Sequence, residues 1–278
     1  MQIDRRSLIR SGLAFAAAGF PLSRGFAAVP SAPIVSRIAL AEGRVWIAAM
    51  IEGQGPHLFI IDTGGIVSLI KEPLAKSLKL KSRGRSNLRG IGGVSQLPWY
   101  IADEVQLGNG IRFPDMLFAG TRARLNDDAA GTFGAGLFTT YDSDLDFEAG
   151  EWRAYPDGRP DREGFRQLKS RFTISPVFGP KIYVDASADD LSGEFLVDTG
   201  APGEISLDSR ATARSGLWKA DRPYPPVRSR GIGGGEIPAR LIRMGRMKIG
   251  PFVWERPLLM LRKPGAVGND LERDGIIG

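Results

Sequence analysis

Phe59-Ile60-Ile61-Asp62-Thr63-Gly64-Gly65-Ile66-Val67-Ser68-Leu69 returns later in the chain as Phe195-Leu196-Val197-Asp198-Thr199-Gly200-Ala201-Pro202-Gly203-Glu204-Ile205-Ser206-Leu207. Both stretches have three apolar residues, then Asp-Thr-Gly, then a short connection to Ser-Leu. The two aspartates stand 136 residues apart. An apolar strand that ends in Asp is physically costly, because a carboxylate near a core loses its hydration. Such a residue persists when it is hydrogen-bonded, paired or at work.

The likeness extends outward in both directions, and a repeat of this length implies duplicated structural units. Upstream, Arg44-Val45-Trp46-Ile47 matches Lys181-Ile182-Tyr183-Val184. Each alternates as a strand does, and a turn follows in each copy, at 52–56 and 188–193. Together they predict a β-hairpin that leads into the Asp. Downstream, 72–80 and 208–217 read as short helices. Next come Arg89-Gly90-Ile91-Gly92-Gly93 and Arg230-Gly231-Ile232-Gly233-Gly234. Leu97-Pro98 answers Ile237-Pro238, Leu107-Gly108 answers Ile249-Gly250, and Gly131-Thr132-Phe133-Gly134 answers Gly275-Ile276-Ile277-Gly278.

These correspondences divide the chain into a first lobe over 28–155 and a second over 171–278. The Pro-, Gly- and charge-rich stretch 156–170 is the expected linker. After Gly134 the first copy continues into a strand over 144–155, which the second copy lacks at Gly278. A missing edge of that size would leave apolar surface uncovered, so the second lobe is expected to be incomplete at its C-terminus. The 36 Gly and 19 Pro among 278 residues, with many short β-branched runs, predict a mostly-β protein.

Residues 1–27 read as an export signal. Arg5-Arg6-Ser7-Leu8-Ile9-Arg10 precedes an apolar stretch from Gly12 to Leu22 and small residues at Gly25 and Ala27. The pattern resembles a twin-arginine leader cleaved after Ala27. The apolar stretch is well short of the ~20 residues of a spanning helix, so no stable membrane span is expected after cleavage. The leader's Arg5, Arg6, Arg10 and Arg24, set against Asp4, carry half of the formal charge of +6. What remains is too small a surplus to indicate nucleic-acid binding. The expected location is the periplasm or the outside of a bacterial cell.

Composition excludes several chemistries. With no cysteine there is no disulfide, thiolate metal site or cysteine nucleophile in this chain. A single histidine, His57, leaves too few imidazoles for a Cys-free zinc site. No G-x-S-x-G stands anywhere in it. The glycine tips fail the dinucleotide pattern, since Ser95 and Glu236 occupy the last Gly position. Asp142-Ser143-Asp144-Leu145-Asp146 starts like a calcium loop, but Phe147 stands where Gly is needed. It reads instead as a strand with solvent-facing acids. His57 is expected to be solvated. Trp99 and Tyr100 are expected in the core or behind the Gly-rich hairpin, with substrate contact as the alternative. No cofactor or metal is implied.

Two lobes related by a pseudo-twofold axis would bring Asp62 and Asp198 together. Carboxylates about 3 Å apart cannot both ionise readily, so they share a proton. The charged one can take a proton from water while the protonated one polarises a carbonyl, which amounts to amide hydrolysis without metal or covalent intermediate. Gly64 and Gly200 would let the backbone approach closely. Thr63 and Thr199 would hydrogen-bond across the interface and hold the loops.

On these motifs the chain resembles the aspartic peptidase superfamily over residues 38–278, closer to its retropepsin-like bacterial branch than to pepsin. The resemblance implies a duplicated, two-lobed acid-protease fold with pseudo-twofold symmetry and short helices. It implies a catalytic pair, Asp62 and Asp198, and two flaps that cover a peptide or protein substrate. The flap residues would be Gly90, Ile91, Gly92 and Gly93, and Gly231, Ile232, Gly233 and Gly234. Pepsins have one flap, which carries a Tyr that neither tip has here. The family's apolar-apolar-Gly segment, which supports the loop from below, is matched by Thr132-Phe133-Gly134 and Ile276-Ile277-Gly278; Gly65, at the fourth position of the first loop, and Thr132 are mild departures. A monomeric aspartic endopeptidase is the expected function. The alternative is a non-catalytic peptide-binding or assembly module on the same fold.

Overall fold

The computed structural model describes residues 32–159, 161–175, 179–203, 205–219, 224–266 and 273–278. The twin-arginine leader lies outside the described residues.

The first lobe opens with β1 (Ile34–Ala41), β2 (Arg44–Ile51) and β3 (Gln54–Asp62). Next come β4 (Ser68–Lys71), α1 (Glu72–Ser77) and the long hairpin β5 (Lys81–Gly90) and β6 (Gly93–Leu107). It closes with β7 (Arg112–Thr121), β8 (Gly131–Gly134), α2 (Ala135–Phe138), β9 (Asp142–Asp146) and β10 (Glu151–Tyr155). The second lobe repeats much of this order. It runs β11 (Ser170–Ser175), β12 (Gly179–Ala188), β13 (Leu191–Val197), β14 (Ile205–Leu207) and α3 (Ser209–Ser215). After these come β15 (Pro226–Arg230), β16 (Glu236–Arg243), β17 (Arg246–Ile249), β18 (Phe252–Glu255), β19 (Leu258–Arg262) and β20 (Gly275–Ile277).

Each lobe is one sheet. The first has strand order β5-β6-β7-β4-β8-β3-β2-β1-β10-β9, and the second β15-β16-β19-β14-β20-β13-β12-β17-β18, with β11 on β12. The pairings around the Asp-Thr-Gly loops are the same in both. β3 lies parallel to β8 and β13 parallel to β20. β4 and β14 run antiparallel to those same partners and parallel to β7 and β19. The fold is therefore mostly β, two-lobed and duplicated. Close backbone approach requires glycine at one matched position per lobe. A Cβ on Gly131 would lie 1.9 Å from the Leu69 carbonyl oxygen, and one on Gly275 2.1 Å from that of Ser206.

The alternation of the strands sends side chains to two faces. Phe59 and Ile61 face the main core of the first lobe, where Phe59 stacks on Phe133 at 4.2 Å beside Phe118. Ile60 points the other way, into a small cluster with Trp46 and Ala129. In the second lobe Phe195 enters a core with Leu207, Leu259 and Leu261, while Leu196 joins Tyr183 and Ile276 on the opposite face.

Several local readings change. The strand expected over 144–155 is the hairpin β9–β10. Its chain reverses over 147–150, where Gly150 takes φ +67° and the Asp146 carboxylate accepts the Ala149 amide at 2.8 Å. Its acids do not all face solvent. Asp144 is largely buried, with Arg153 and Arg159 on it and the Tyr155 hydroxyl donating at 2.9 Å. Arg159 also lies 4.1 Å above the Phe165 ring, so this part of the connecting stretch is held to the first lobe. α1 ends before Leu80 because Lys79 turns left-handed at φ +56°. α3 ends at Gly216 in the same conformation. His57 is half-buried, with Nε2 enclosed and unpartnered. Tyr100 is core, and Trp99 donates to the Ser86 hydroxyl across the β5–β6 hairpin at 2.5 Å.

Candidate active site

β3 ends on Asp62, and β13 ends one residue before Asp198. The strand register fixes both. Asp62 sits opposite Gly134, and the Asp198 amide donates to the Ile277 carbonyl at 2.8 Å. Behind the first loop, the Gly134 amide donates to the Ser68 hydroxyl at 3.1 Å and the Ala135 amide to the Gly65 carbonyl at 3.0 Å.

The two loops are tied to each other by their threonines. The Thr63 hydroxyl donates to the Val197 carbonyl at 2.8 Å and accepts the Thr199 amide at 3.1 Å. The Thr199 hydroxyl donates to the Ile61 carbonyl at 2.6 Å and accepts the Thr63 amide at 3.2 Å. Each hydroxyl thus satisfies one donor and one acceptor of the other lobe. Four bonds of this kind leave little freedom for one loop to move against the other.

The carboxyls lie on top of this cross-link. Each carboxyl of Asp62 and Asp198 lies against the loop glycine of the other lobe. Neither neighbouring glycine has room for a side chain. A Cβ on Gly64 would lie 2.3 Å from the Asp198 carboxyl carbon, and one on Gly200 2.7 Å from that of Asp62. Gly65, the departure noted in the sequence, is equally constrained, since its Cβ would lie 2.7 Å from Asp62 Oδ2. Asp198 Oδ1 accepts the Gly200 amide at 2.9 Å and the Ala201 amide at 3.2 Å.

These surroundings set the protonation. Asp62 keeps some exposed surface, but protein encloses its carboxyl on the remaining sides. Burial raises its pKa well above the usual carboxylate range. The negative charge of Asp198 pushes in the same direction. The amides of Gly65 and Gly64 oppose the shift without cancelling it.

The Gly-rich tips meet each other. The Gly233 amide donates to the Ile91 carbonyl at 3.1 Å. A Cβ on Gly92 would lie 2.1 Å from the Gly235 carbonyl oxygen, and one on Gly90 2.4 Å from Ile232 Cγ2. A Cβ on Gly231 would lie 2.7 Å from that of Ile91, and Gly93 and Gly234 complete the two turns. Ile91 packs against the Tyr183, Leu196 and Ile276 cluster of the second lobe. Gly235 belongs to this contact although only Gly231–Gly234 are singled out by the repeat. The unbroken Gly233-Gly234-Gly235 run is its signal. Arg44, at the start of β2, reaches the second Asp loop and was legible only as one cation of an aligned pair with Lys181.

Among the described residues, no group of three or more His, Asp or Glu is arranged to hold a metal ion. No described helix is long and apolar enough to cross a membrane.

Comparison with known proteins agrees with the duplication. A family model described as aspartyl protease matches twice, over residues 47–135 and 184–278. Among solved structures, the chain is similar to a retropepsin-like aspartic protease from Rickettsia conorii. The two are 20% identical over 40% of this chain and 84% of that one, with a TM-score of 0.30. It is also similar to basic 7S globulin from soybean, at 12% identity over 90% of this chain and 91% of that one, with a TM-score of 0.42. No curated protein matches it.

Proposed function

Because the chain belongs to the aspartyl protease family, we propose that it is an aspartic endopeptidase in which Asp62 and Asp198 activate a water molecule. The observation that carries this reading is the crossed approach of the two carboxyls, each against the other lobe's loop glycine, with Asp62 shifted toward its protonated form by burial and by the charge of Asp198. A pair that holds one proton between two oxygens is both an acid and a base.

The substrate lies extended between the lobes, beneath the two Gly-rich tips, with its backbone paired to them in strand fashion. The protonated carboxyl donates to the scissile carbonyl oxygen. The ionised one takes a proton from water as the water oxygen bonds to the carbonyl carbon. The tetrahedral diol then loses its amine. The nitrogen receives a proton from the dyad, the C–N bond breaks, and the diol returns its own proton, so the pair again holds one. Thr63 and Thr199 touch no substrate in this scheme. They keep the two carboxyls at a fixed separation. The leader sequence supports action outside the cytoplasm, after export.

The test is peptide cleavage by the chain without its leader. Cleavage should be blocked by a statine-type inhibitor and should fall at least about a thousandfold in both Asp62→Asn and Asp198→Asn. Undiminished cleavage in either variant rejects the dyad. Binding of extended peptides with no turnover across acidic and neutral pH favours the non-catalytic module instead.

A further inference from the structure

Besides Thr63, a second side chain of the first lobe reaches the second Asp loop. Arg44 crosses the interface from the start of β2. Its Nε donates to the Gly200 carbonyl at 3.3 Å and its Nη1 to the Leu125 carbonyl at 3.1 Å. The turn before it abuts the same loop, since a Cβ on Gly43 would lie 3.0 Å from the Pro202 carbonyl carbon.

The Gly200 carbonyl belongs to the same planar peptide as the Ala201 amide. That amide donates to Asp198 Oδ1 at 3.2 Å and is shared with the Asp198 carbonyl at 3.1 Å. A guanidinium on the oxygen end of a peptide fixes the plane and polarises it, which strengthens what the N–H end donates. A cation in one lobe therefore reaches a carboxylate in the other through one rigid unit.

We propose that Arg44 is a positioning residue for Asp198, acting through the Gly200–Ala201 peptide. The geometry suits arginine, because two carbonyls on separate segments need a forked donor. The repeat carries Lys181 at the aligned position, a point charge without that fork. The inference rests on the dyad reading for its catalytic consequence, but its physical core is a hydrogen-bond relay that exists whether or not the protein cuts peptides.

Two readouts separate these. In the full chain, the Ala201 amide proton resonance, followed by NMR, should move upfield in Arg44→Met, with Arg44→Lys between it and the wild type. On a cleavable peptide, kcat should fall about tenfold in Arg44→Met while KM changes little, and Arg44→Lys should recover part of the loss. If Arg44→Met does not fold, the Arg44→Lys shift and kcat decide the matter. A wild-type Ala201 resonance in the folded variant, or a wild-type kcat beside a shifted KM, overturns the relay. If the wild-type chain cleaves nothing, the peptidase reading fails, and the amide resonance still tests the relay.

Discussion

At the residue scale, the closeness of the two carboxyls works against stability as pH rises. The folded pKa of Asp62 lies well above the ordinary carboxylate value of 3.8. A raised folded pKa means the folded state binds more protons than the unfolded one, so stability from this group is full below 3.8 and is lost as pH rises through the folded value. Asp62→Asn cannot ionise. Its stability relative to wild type should therefore climb as pH rises from acidic to neutral, as measured by urea denaturation at successive pH values. A difference that stays flat with pH would contradict the shift. The threonines offer a second test. Thr63→Val strands the Thr199 amide and the Val197 carbonyl, at a cost of about 1–3 kcal/mol for each unsatisfied group, whereas Thr63→Ser keeps both bonds and should lose less than about 1 kcal/mol. The Asp, Thr and Gly of each loop were legible in sequence because the repeat isolates them and their chemistry is specific. The role of Arg44 was not legible, because it depends on a carbonyl 156 residues away.

At the element scale, the glycines decide how closely strands and hairpins may approach. Gly131→Ala would drive a methyl to 1.9 Å from the Leu69 carbonyl oxygen, so β4 and β8 could not pair and the first lobe should fail to fold. Soluble expression and circular dichroism check this. Gly92→Ala acts differently. Its Cβ would meet the Gly235 carbonyl oxygen at 2.1 Å, at a position with φ +89°. The tips should part while the cores stay intact, giving an unchanged melting temperature and a raised KM on peptide substrates. The sequence predicted the β5–β6 and β15–β16 hairpins, the paired strands before each Asp and the short helices. It did not separate β9 from β10, because the reversal rests on the Asp146 carboxylate accepting the Ala149 amide rather than on a strong turn dipeptide. Nor did it show that the acid-rich β9 turns Asp144 inward, which requires Arg153 and Arg159 to be in place.

At the scale of the whole molecule, two separate cores carry two loops whose only useful arrangement is face to face. The repeat was enough to predict this, since duplicated strands that end in Asp imply a shared axis. What it could not give is how each lobe satisfies its buried charges. In the second lobe Asp208 is fully buried between Arg262 and Arg273, with Arg273 Nε at 2.9 Å and Arg262 also donating to the Ser229 hydroxyl at 3.0 Å. No comparable motif marks it in the sequence. Arg262→Met should cost at least about 3 kcal/mol, by leaving a buried carboxylate short of a partner, and chemical denaturation measures it. The account as a whole rests on one proton held between two lobes. Carbon-13 NMR of the aspartate carboxyls across a pH titration reads this directly. Asp62 should titrate far above 3.8, in a step coupled to Asp198 that moves down when Asp198 is replaced by Asn. If Asp62 instead titrates near 3.8 and ignores the substitution, the two carboxyls do not share a proton and the proposed chemistry is wrong.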